Sequence, residues 1–191
     1  MEAAVILAAG KGTRMKSDLP KVLHRIGGRP MAGYVLRAVK EAGVSRVIMV
    51  VGHRGEMVAE EFKGEAEIVY QFPQLGTAHA LLQAKDTLGG FAGDILVVSG
   101  DTPLISGDTL KDLLFAHREA GAPVTVLTAL VADPAGYGRV VRDASGGLVK
   151  IVEERDATAA ERGIKEINTG IYCFSSPGLF EKLALVKAEN A

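Results

Sequence analysis

The 191-residue sequence predicts an α/β fold: a mostly parallel central sheet flanked by helices, with a β-rich appendage toward the C-terminal end. Three observations carry that prediction. Short, nearly unbroken apolar runs recur up to Ala132. Stretches with apolar residues at helical spacing separate them. Beyond Ala132 the runs give way to alternation around a glycine pair. Strands buried on both faces read as continuous apolar segments, and intervening helices supply the crossovers that parallel pairing requires.

The elements follow in order. "AAVILA", Ala3–Ala8, is short and apolar with β-branched residues, which predicts a buried strand. Met31–Ala42 has apolar residues at helical spacing and ends at Gly43, a residue suited to a left-handed cap. "RVIMVVG", Arg46–Gly52, predicts a second strand, Val58–Phe62 the close of a short helix, and "AEIVYQ", Ala66–Gln71, a third strand. Thr77–Leu88, rich in Ala and Leu, predicts a helix. "DILVVSGD", Asp94–Asp101, predicts a fourth strand, Thr109–Ala120 a helix, and "PVTVLTAL", Pro123–Leu130, a fifth strand. Farther on, "GRVVRDASGGLVKIVEE" alternates about Gly146-Gly147 and predicts a β-hairpin, followed by a strand in "INTGIYCF". Ser176 and Pro177 then offer an N-cap and a first-turn proline for a helix reaching about Val186. With no internal repeat, low-complexity tract or linker, residues 1–191 are expected to form a single domain with its appendage.

The composition narrows the function classes. Apolar residues make up 48% and charged residues 24%, which excludes a disordered chain. A formal net charge of −1 gives no global basic excess for nucleic acid or an anionic membrane, so any phosphate recognition must be local. The single cysteine, Cys173, cannot form an internal disulfide and suits a reducing cytoplasm. No apolar run approaches the roughly 20 residues needed to span a bilayer, and the N-terminal stretch lacks the basic flank of a signal peptide. The expected compartment is cytoplasmic.

Local phosphate recognition has one candidate, "LAAGKGTRMKSDLPK", Leu7–Lys21. In open α/β sheets, ligands bind beyond the carboxyl ends of strands, and Gly10 and Gly12 stand just after the first one. Glycines chosen only for a tight turn account for that spacing as well as a ligand loop does. The dinucleotide fingerprint fails here: Met15 occupies the third glycine position, and Gly27–Tyr34 holds no acid. The P-loop fails too, because Val5 stands where its first glycine belongs and Gly12 where its Ser or Thr belongs. What remains is a side-chain-poor turn whose backbone N–H groups can face an anion. Arg14 adds a planar fork suited to phosphate oxygens and Lys21 a compact charge, aimed by the restricted backbone of Pro20. Lys11 and Lys16 read as solvated loop charges. His24, His53, His79 and His117 lack metal-ligand spacing and read as structural.

This loop resembles the Leu-x-x-Gly-x-Gly-Thr-x-Met signature, with its downstream Pro-Lys, of the sugar-1-phosphate nucleotidyltransferases. "QFPQLGTAHA", "SGDTPLI", "DPAGYGRVVR", "IVEERDAT" and "EINTGIYCF" extend the resemblance over essentially the whole chain. Their order and spacing are similar to the uridyltransferase domain of the bifunctional N-acetylglucosamine-1-phosphate uridyltransferase/glucosamine-1-phosphate acetyltransferase family. The resemblance implies a Rossmann-like nucleotide-diphospho-sugar transferase fold. It also implies formation of UDP-N-acetylglucosamine and pyrophosphate from UTP and N-acetylglucosamine 1-phosphate, with Mg2+ as cofactor. Another sugar-1-phosphate nucleotidyltransferase, or a nucleotide-binding segment without turnover, stands as the alternative.

By this resemblance Leu7, Ala8, Ala9 and Gly10 lie against the nucleotide, and Gln71, Gly76 and Thr77 complete a uracil pocket. A glutamine amide with backbone N–H groups matches the donor and acceptor edge of uracil. Ser99 and Gly100 line the nucleotide site, and Asp101 is the metal ligand, an oxygen donor of the kind Mg2+ takes. Arg14 and Lys21 are the catalytic cations, Lys21 also touching the nucleotide phosphates. Gly138, Glu153 and Asn168 are the sugar-binding set. The family places a second metal ligand, an asparagine, and an acetyltransferase β-helix beyond a point matching Ala191. The sequence is therefore expected to be an incomplete N-terminal portion, lacking acetyl transfer, of an enzyme whose homotrimer the β-helix half largely builds.

Overall fold

The computed structural model describes residues 1–10, 12 and 15–186. Two compact units form, one from Met1–Thr125 together with the chain from Cys173 onward, the other from Val126–Tyr172. The first begins with β1 (Glu2–Ala8), continues through a single 3-10 turn, Lys21–Leu23, and adds the two-residue strands β2 (Arg25–Ile26) and β3 (Arg29–Pro30). Then come α1 (Met31–Glu41), β4 (Arg46–Val51), α2 (Gly55–Glu61), β5 (Glu67–Tyr70), α3 (Thr77–Leu82), β6 (Asp94–Ser99) and α4 (Gly107–Ala120). Beyond these, β7 (Val124–Leu130), β8 (Arg139–Arg142), β9 (Leu148–Val152), α5 (Ala159–Arg162), β10 (Glu166–Ser175) and α6 (Leu179–Leu183) complete the chain.

Within the first unit the strand order is β5-β4-β1-β6, and every pairing is parallel. The two inner strands are buried: Ala3, Ala4, Val5 and Ile6 of β1 have no exposed surface, and neither do Ile48, Met49 and Val50 of β4. Helix α1 buries Ala32, Val35, Leu36 and Val39, its positions two, five, six and nine, along one face. Its end is a left-handed stop. Gly43 takes φ +91°, its N–H donates to the Lys40 carbonyl, and the Val44 N–H donates to the Val39 carbonyl. Both bonds satisfy carbonyls the helix leaves open. Helix α4 starts at Ser106, whose hydroxyl accepts from the Thr109 N–H.

Two helices differ from expectation. Thr77–Leu88 is helical only to Leu82, because beyond it the backbone tightens to three-residue bonds from Gln83, Ala84 and Lys85. The Gln83 side chain takes the His79 carbonyl that its own N–H would have used. The last helix starts at Leu179 with Gly178 as its cap at φ +71°, later than Ser176-Pro177 implied. Ser176 is otherwise engaged, its hydroxyl accepting from the Gly93 N–H and its own N–H donating to the Gly93 carbonyl. The β2–β3 ribbon around Gly27-Gly28 is an element the sequence reading lacks; each strand is too short to show a period.

In the second unit β8 and β9 form the expected antiparallel hairpin, Arg139 opposite Val152, with a bulge at Val141/Arg142. The Asp143 carboxylate organises its turn by accepting from the Ser145 and Gly147 N–H groups and the Ser145 hydroxyl. Strand β10 is antiparallel to β8 through Ile167 and Arg139, and Thr169 Oγ1 donates to the Leu127 carbonyl of β7.

Candidate active site

Because β5, β4, β1 and β6 run parallel, their carboxyl ends open along one edge. Gln71 follows β5, Gly52 follows β4, Ala9-Gly10 follow β1 and Gly100-Asp101 follow β6. Register holds the middle pair together, since Leu7 lies beside both Val50 and Ser99. The Leu7 carbonyl accepts from the Gly100 N–H at 2.8 Å, and the Ala9 carbonyl accepts from Gln74 Nε2 at 2.7 Å. These two carbonyls are thus already bonded within the protein. A Cβ at Gly100 would lie 3.1 Å from both the Leu7 oxygen and Val22 Cγ1, so this strand end admits no side chain without movement.

At that edge Lys21 reaches Asp101. Lys21 Nζ donates to Asp101 Oδ2 at 2.5 Å, and the Ser99 hydroxyl donates to Asp101 Oδ1 at 2.6 Å. Burial pushes the Asp101 carboxyl up, but the Lys21 and Ser99 hydrogen bonds and the Lys21 charge outweigh it and hold it below the ordinary carboxylate value. The ammonium is aimed by its backbone. Pro20 (φ −48°, ψ 136°) opens the 3-10 turn that carries Lys21, and the Pro20 carbonyl accepts from the Leu23 N–H. Gly12 backs against the same lysine: at φ +58°, a Cβ there would meet Lys21 Cβ at 2.7 Å. Two separate constraints, conformation and space, therefore require glycine at position 12. Arg54 steadies the approach to Pro20 by donating to the Asp18 carbonyl at 2.7 Å. Arg14 and Lys11 lie outside the described residues, and Lys16 is exposed, as expected.

Gln71 is 3% exposed. Its Nε2 donates to the Gly76 carbonyl at 3.0 Å and contacts His79 Nδ1 at 3.0 Å. Its Oε1 accepts no hydrogen bond among the described residues. Gly76, at φ +96°, caps α3 in front of Thr77, and this helix is only six residues long. Tyr70 and Phe72 flank Gln71 with stacked, exposed rings whose centroids lie 6.1 Å apart.

The second unit gathers Gly138, Glu153 and Asn168. The Asn168 N–H donates to the Gly138 carbonyl at 2.8 Å, and a Cβ at Gly138 would lie 3.2 Å from Glu153 Oε1. The Asn168 amide is oriented by Tyr172, its Nδ2 donating to the phenol oxygen at 2.7 Å, and by the Gly170 N–H, which donates to its Oδ1. Burial raises the Tyr172 phenol above its ordinary value, partly offset by the Asn168 bond, and the Glu153 charge pushes the same way as burial.

The sequence reading missed side chains that act through others: Gln74 on the Ala9 carbonyl, His79 on Gln71, Arg54 on the Asp18 carbonyl, and Arg139 on the Tyr137 carbonyl. The paired glutamines of "QFPQ" were the one local signal. As for metal binding, a hard divalent cation commonly takes one or two carboxylates and completes its shell with phosphates and water. Asp101 suits that role as a single oxygen ligand. Among the described residues no cluster of three or more His, Cys, Asp and Glu side chains could hold a metal by itself. Each Asp101 oxygen accepts one hydrogen bond and keeps a second lone pair for an ion, and Lys21 on Oδ2 sets a positive charge beside that position.

A family model described as the MobA-like NTP transferase domain matches residues 4–167. The chain belongs to that family. Its α/β architecture is that of the nucleotide-diphospho-sugar transferases, and it is a nucleotidyltransferase domain. The bifunctional protein GlmU of Pelotomaculum thermopropionicum is 59% identical over 189 residues, covering 99% of this chain and 41% of that relative. GlmU of Bacillus cereus (strain AH187) is 52% identical over 187 residues, with 98% and 41% covered. The chain thus spans about two fifths of the length of these curated relatives. A crystal structure of UDP-glucose pyrophosphorylase complexed with UDP-glucose superimposes with a TM-score of 0.80 at 21% identity, over 98% of this chain and 80% of that one. That likeness is one of fold. No helix among the described residues is long and apolar enough to cross a membrane.

Proposed function

We propose that this domain transfers a uridylyl group from UTP to N-acetylglucosamine 1-phosphate, releasing UDP-N-acetylglucosamine and pyrophosphate in the cytoplasm. The observation that carries the proposal is the pairing of Lys21 with Asp101 at 2.5 Å, beside a glycine turn at the carboxyl edge of the parallel sheet. A cation and a carboxylate at one point are what a polyphosphate with its metal needs. The relatives bearing the GlmU name, at 52–59% identity, support the same reading.

In this mechanism an oxygen of the sugar phosphate attacks the α-phosphorus of UTP in line. A new O–P bond forms as the bond to the bridging oxygen breaks, and pyrophosphate leaves with that electron pair. The attacking oxygen is ionised near neutral pH, so no general base is assigned. Catalysis rests on positioning and charge neutralisation. Lys21 leaves Asp101 for the α-phosphate and offsets its charge, Arg14 holds the departing phosphates, and Ser99 keeps Asp101 oriented. When bound at Asp101, Mg2+ supplies Lewis-acid neutralisation of phosphate charge. Leu7–Gly10, Gly76 and Thr77 contribute backbone contacts to the nucleotide, with Gln71 Oε1 accepting from the uracil imide N–H. Gly100 keeps the strand end open. Gly138, Glu153 and Asn168 take the sugar hydroxyls and acetamide. The homotrimer implied for the longer relatives is part of the same proposal.

Pyrophosphate release with UTP, CTP, GTP and dTTP tests the reading, each with N-acetylglucosamine 1-phosphate and Mg2+. UTP should be preferred, and Gln71→Ala should narrow the UTP:CTP rate ratio. An equal rate with all four nucleotides would remove the uracil assignment. Calorimetric binding of UDP-N-acetylglucosamine without turnover would instead identify a nucleotide-binding module.

A further inference from the structure

Arg139 is the largest fully buried side chain of the described residues, with 1% of its surface exposed. A guanidinium is rarely buried so completely unless it is paired, and a buried ion pair is weak evidence for stability, because desolvation offsets most of its attraction. Among the described residues, Arg139 Nε has no hydrogen-bond partner. An arrangement that forgoes one donor while burying a charge calls for a role other than holding the fold together.

Its remaining bonds indicate that role. Nη1 donates to the Tyr137 carbonyl and Nη2 to Glu154 Oε2 at 2.5 Å. The same carboxylate oxygen accepts from the Gly136 N–H at 3.2 Å, and the Arg139 hydrogen bond holds Glu154 below the usual carboxylate range. The guanidinium therefore ties residue 137 to residue 154, and the Glu154 carboxylate ties residue 136 to the same point. Gly138 lies inside the tied loop, and Glu153 is the residue next to Glu154. A Cβ on Gly138 would already press on Glu153 Oε1, so the space between these two residues is small.

We propose that Arg139 is a positioning residue for sugar recognition, its fork on the Tyr137 carbonyl and Glu154 carboxylate fixing the separation between Gly138 and Glu153. This rests on the sugar-binding reading given above. Arg139 touches no substrate; it acts by holding the loop against the end of β9. The planar fork matters, since an ammonium cannot make the same two diverging bonds in one plane.

Calorimetric titration with UDP-N-acetylglucosamine and with UDP, in Mg2+, tests this on the wild-type chain and on Arg139→Lys, Arg139→Met and Glu154→Gln. Thermal unfolding of each variant runs alongside. In wild type the sugar nucleotide should bind tighter than UDP. Arg139→Met and Glu154→Gln should lose at least tenfold in UDP-N-acetylglucosamine affinity while UDP affinity stays within twofold, and Arg139→Lys should recover part of the loss. A lowered melting temperature with the wild-type affinity ratio retained would mean a purely structural arginine and overturn the proposal. If Arg139→Met fails to fold, Glu154→Gln decides alone, because Glu154 is partly exposed and its replacement is nearly isosteric. A wild-type chain binding UDP-N-acetylglucosamine no tighter than UDP would bring down the sugar-binding reading itself, and this inference with it.

Discussion

Replacing Lys21 by alanine probes the pair on which the active-site reading rests. The side chains of Lys21 and Asp101 are 32% and 31% exposed, so the bond is neither dry nor fully wet. A hydrogen bond to a charged group contributes about 1.5–3 kcal/mol in the interior, whereas an exposed ion pair contributes about 0–1 kcal/mol. A pair with a third of its surface in water falls between, at about 1–2 kcal/mol. Lys21→Ala should lower the unfolding free energy by that amount at neutral pH. The pH dependence follows from Asp101, whose folded carboxyl is depressed. Its contribution is present above the unfolded value of about 3.9 and is lost as pH falls through the lower folded value. Urea unfolding at pH 7 should show the full difference between wild type and variant, and the difference should shrink as the pH is taken below about 4. A second readout is Mn2+ titration without nucleotide. With no lysine charge beside Oδ2, the variant should bind the ion about 5–30-fold tighter, the equivalent of 1–2 kcal/mol. A variant as stable as wild type at pH 7, with unchanged Mn2+ affinity, would refute the reasoning.

Gly12→Ala forces a side chain into a left-handed conformation and against Lys21 Cβ, so it should lose at least about 1–2 kcal/mol in urea unfolding; an unchanged midpoint would show that the turn relaxes freely. Cys173 is fully buried, and burial, aided by the Asp94 charge and opposed by Arg118, pushes its thiol up to about 12. A thiol reagent at pH 8 should leave it unlabelled in the native protein and label it in concentrated guanidinium; rapid native labelling would contradict that burial.

Much of this fold could be read along the chain, because its signals are local. The run Ala3–Ala8 announces a strand by itself, and the spacing of Ala32, Val35, Leu36 and Val39 announces a helix that Gly43 ends. Where a local signal competed with a distant partner, the partner prevailed. Ser176 resembles a cap but serves Gly93, and the turn residues at Gln83 tighten because a side chain reaches His79. The candidate site divides in the same way. Gly12 and Pro20 were visible as turn chemistry, yet the Lys21–Asp101 bond joins residues far apart in sequence, and only parallel strand order brings them together. Arg139 was invisible for a different reason: an arginine in a strand reads as surface until its burial is seen.

The position of β1 bears on how the chain can fold. It is an interior strand, and Ala3 finds Arg46 on one side and Ile95 on the other, both supplied by later segments. Such non-local closure is slow, because loop entropy is lost before any pairing rewards it. Until β4 and β6 have been synthesised, β1 has no strand to pair with on either side, so a ribosome-bound intermediate that stops short of β6 leaves its backbone edge open to a chaperone or a stray chain.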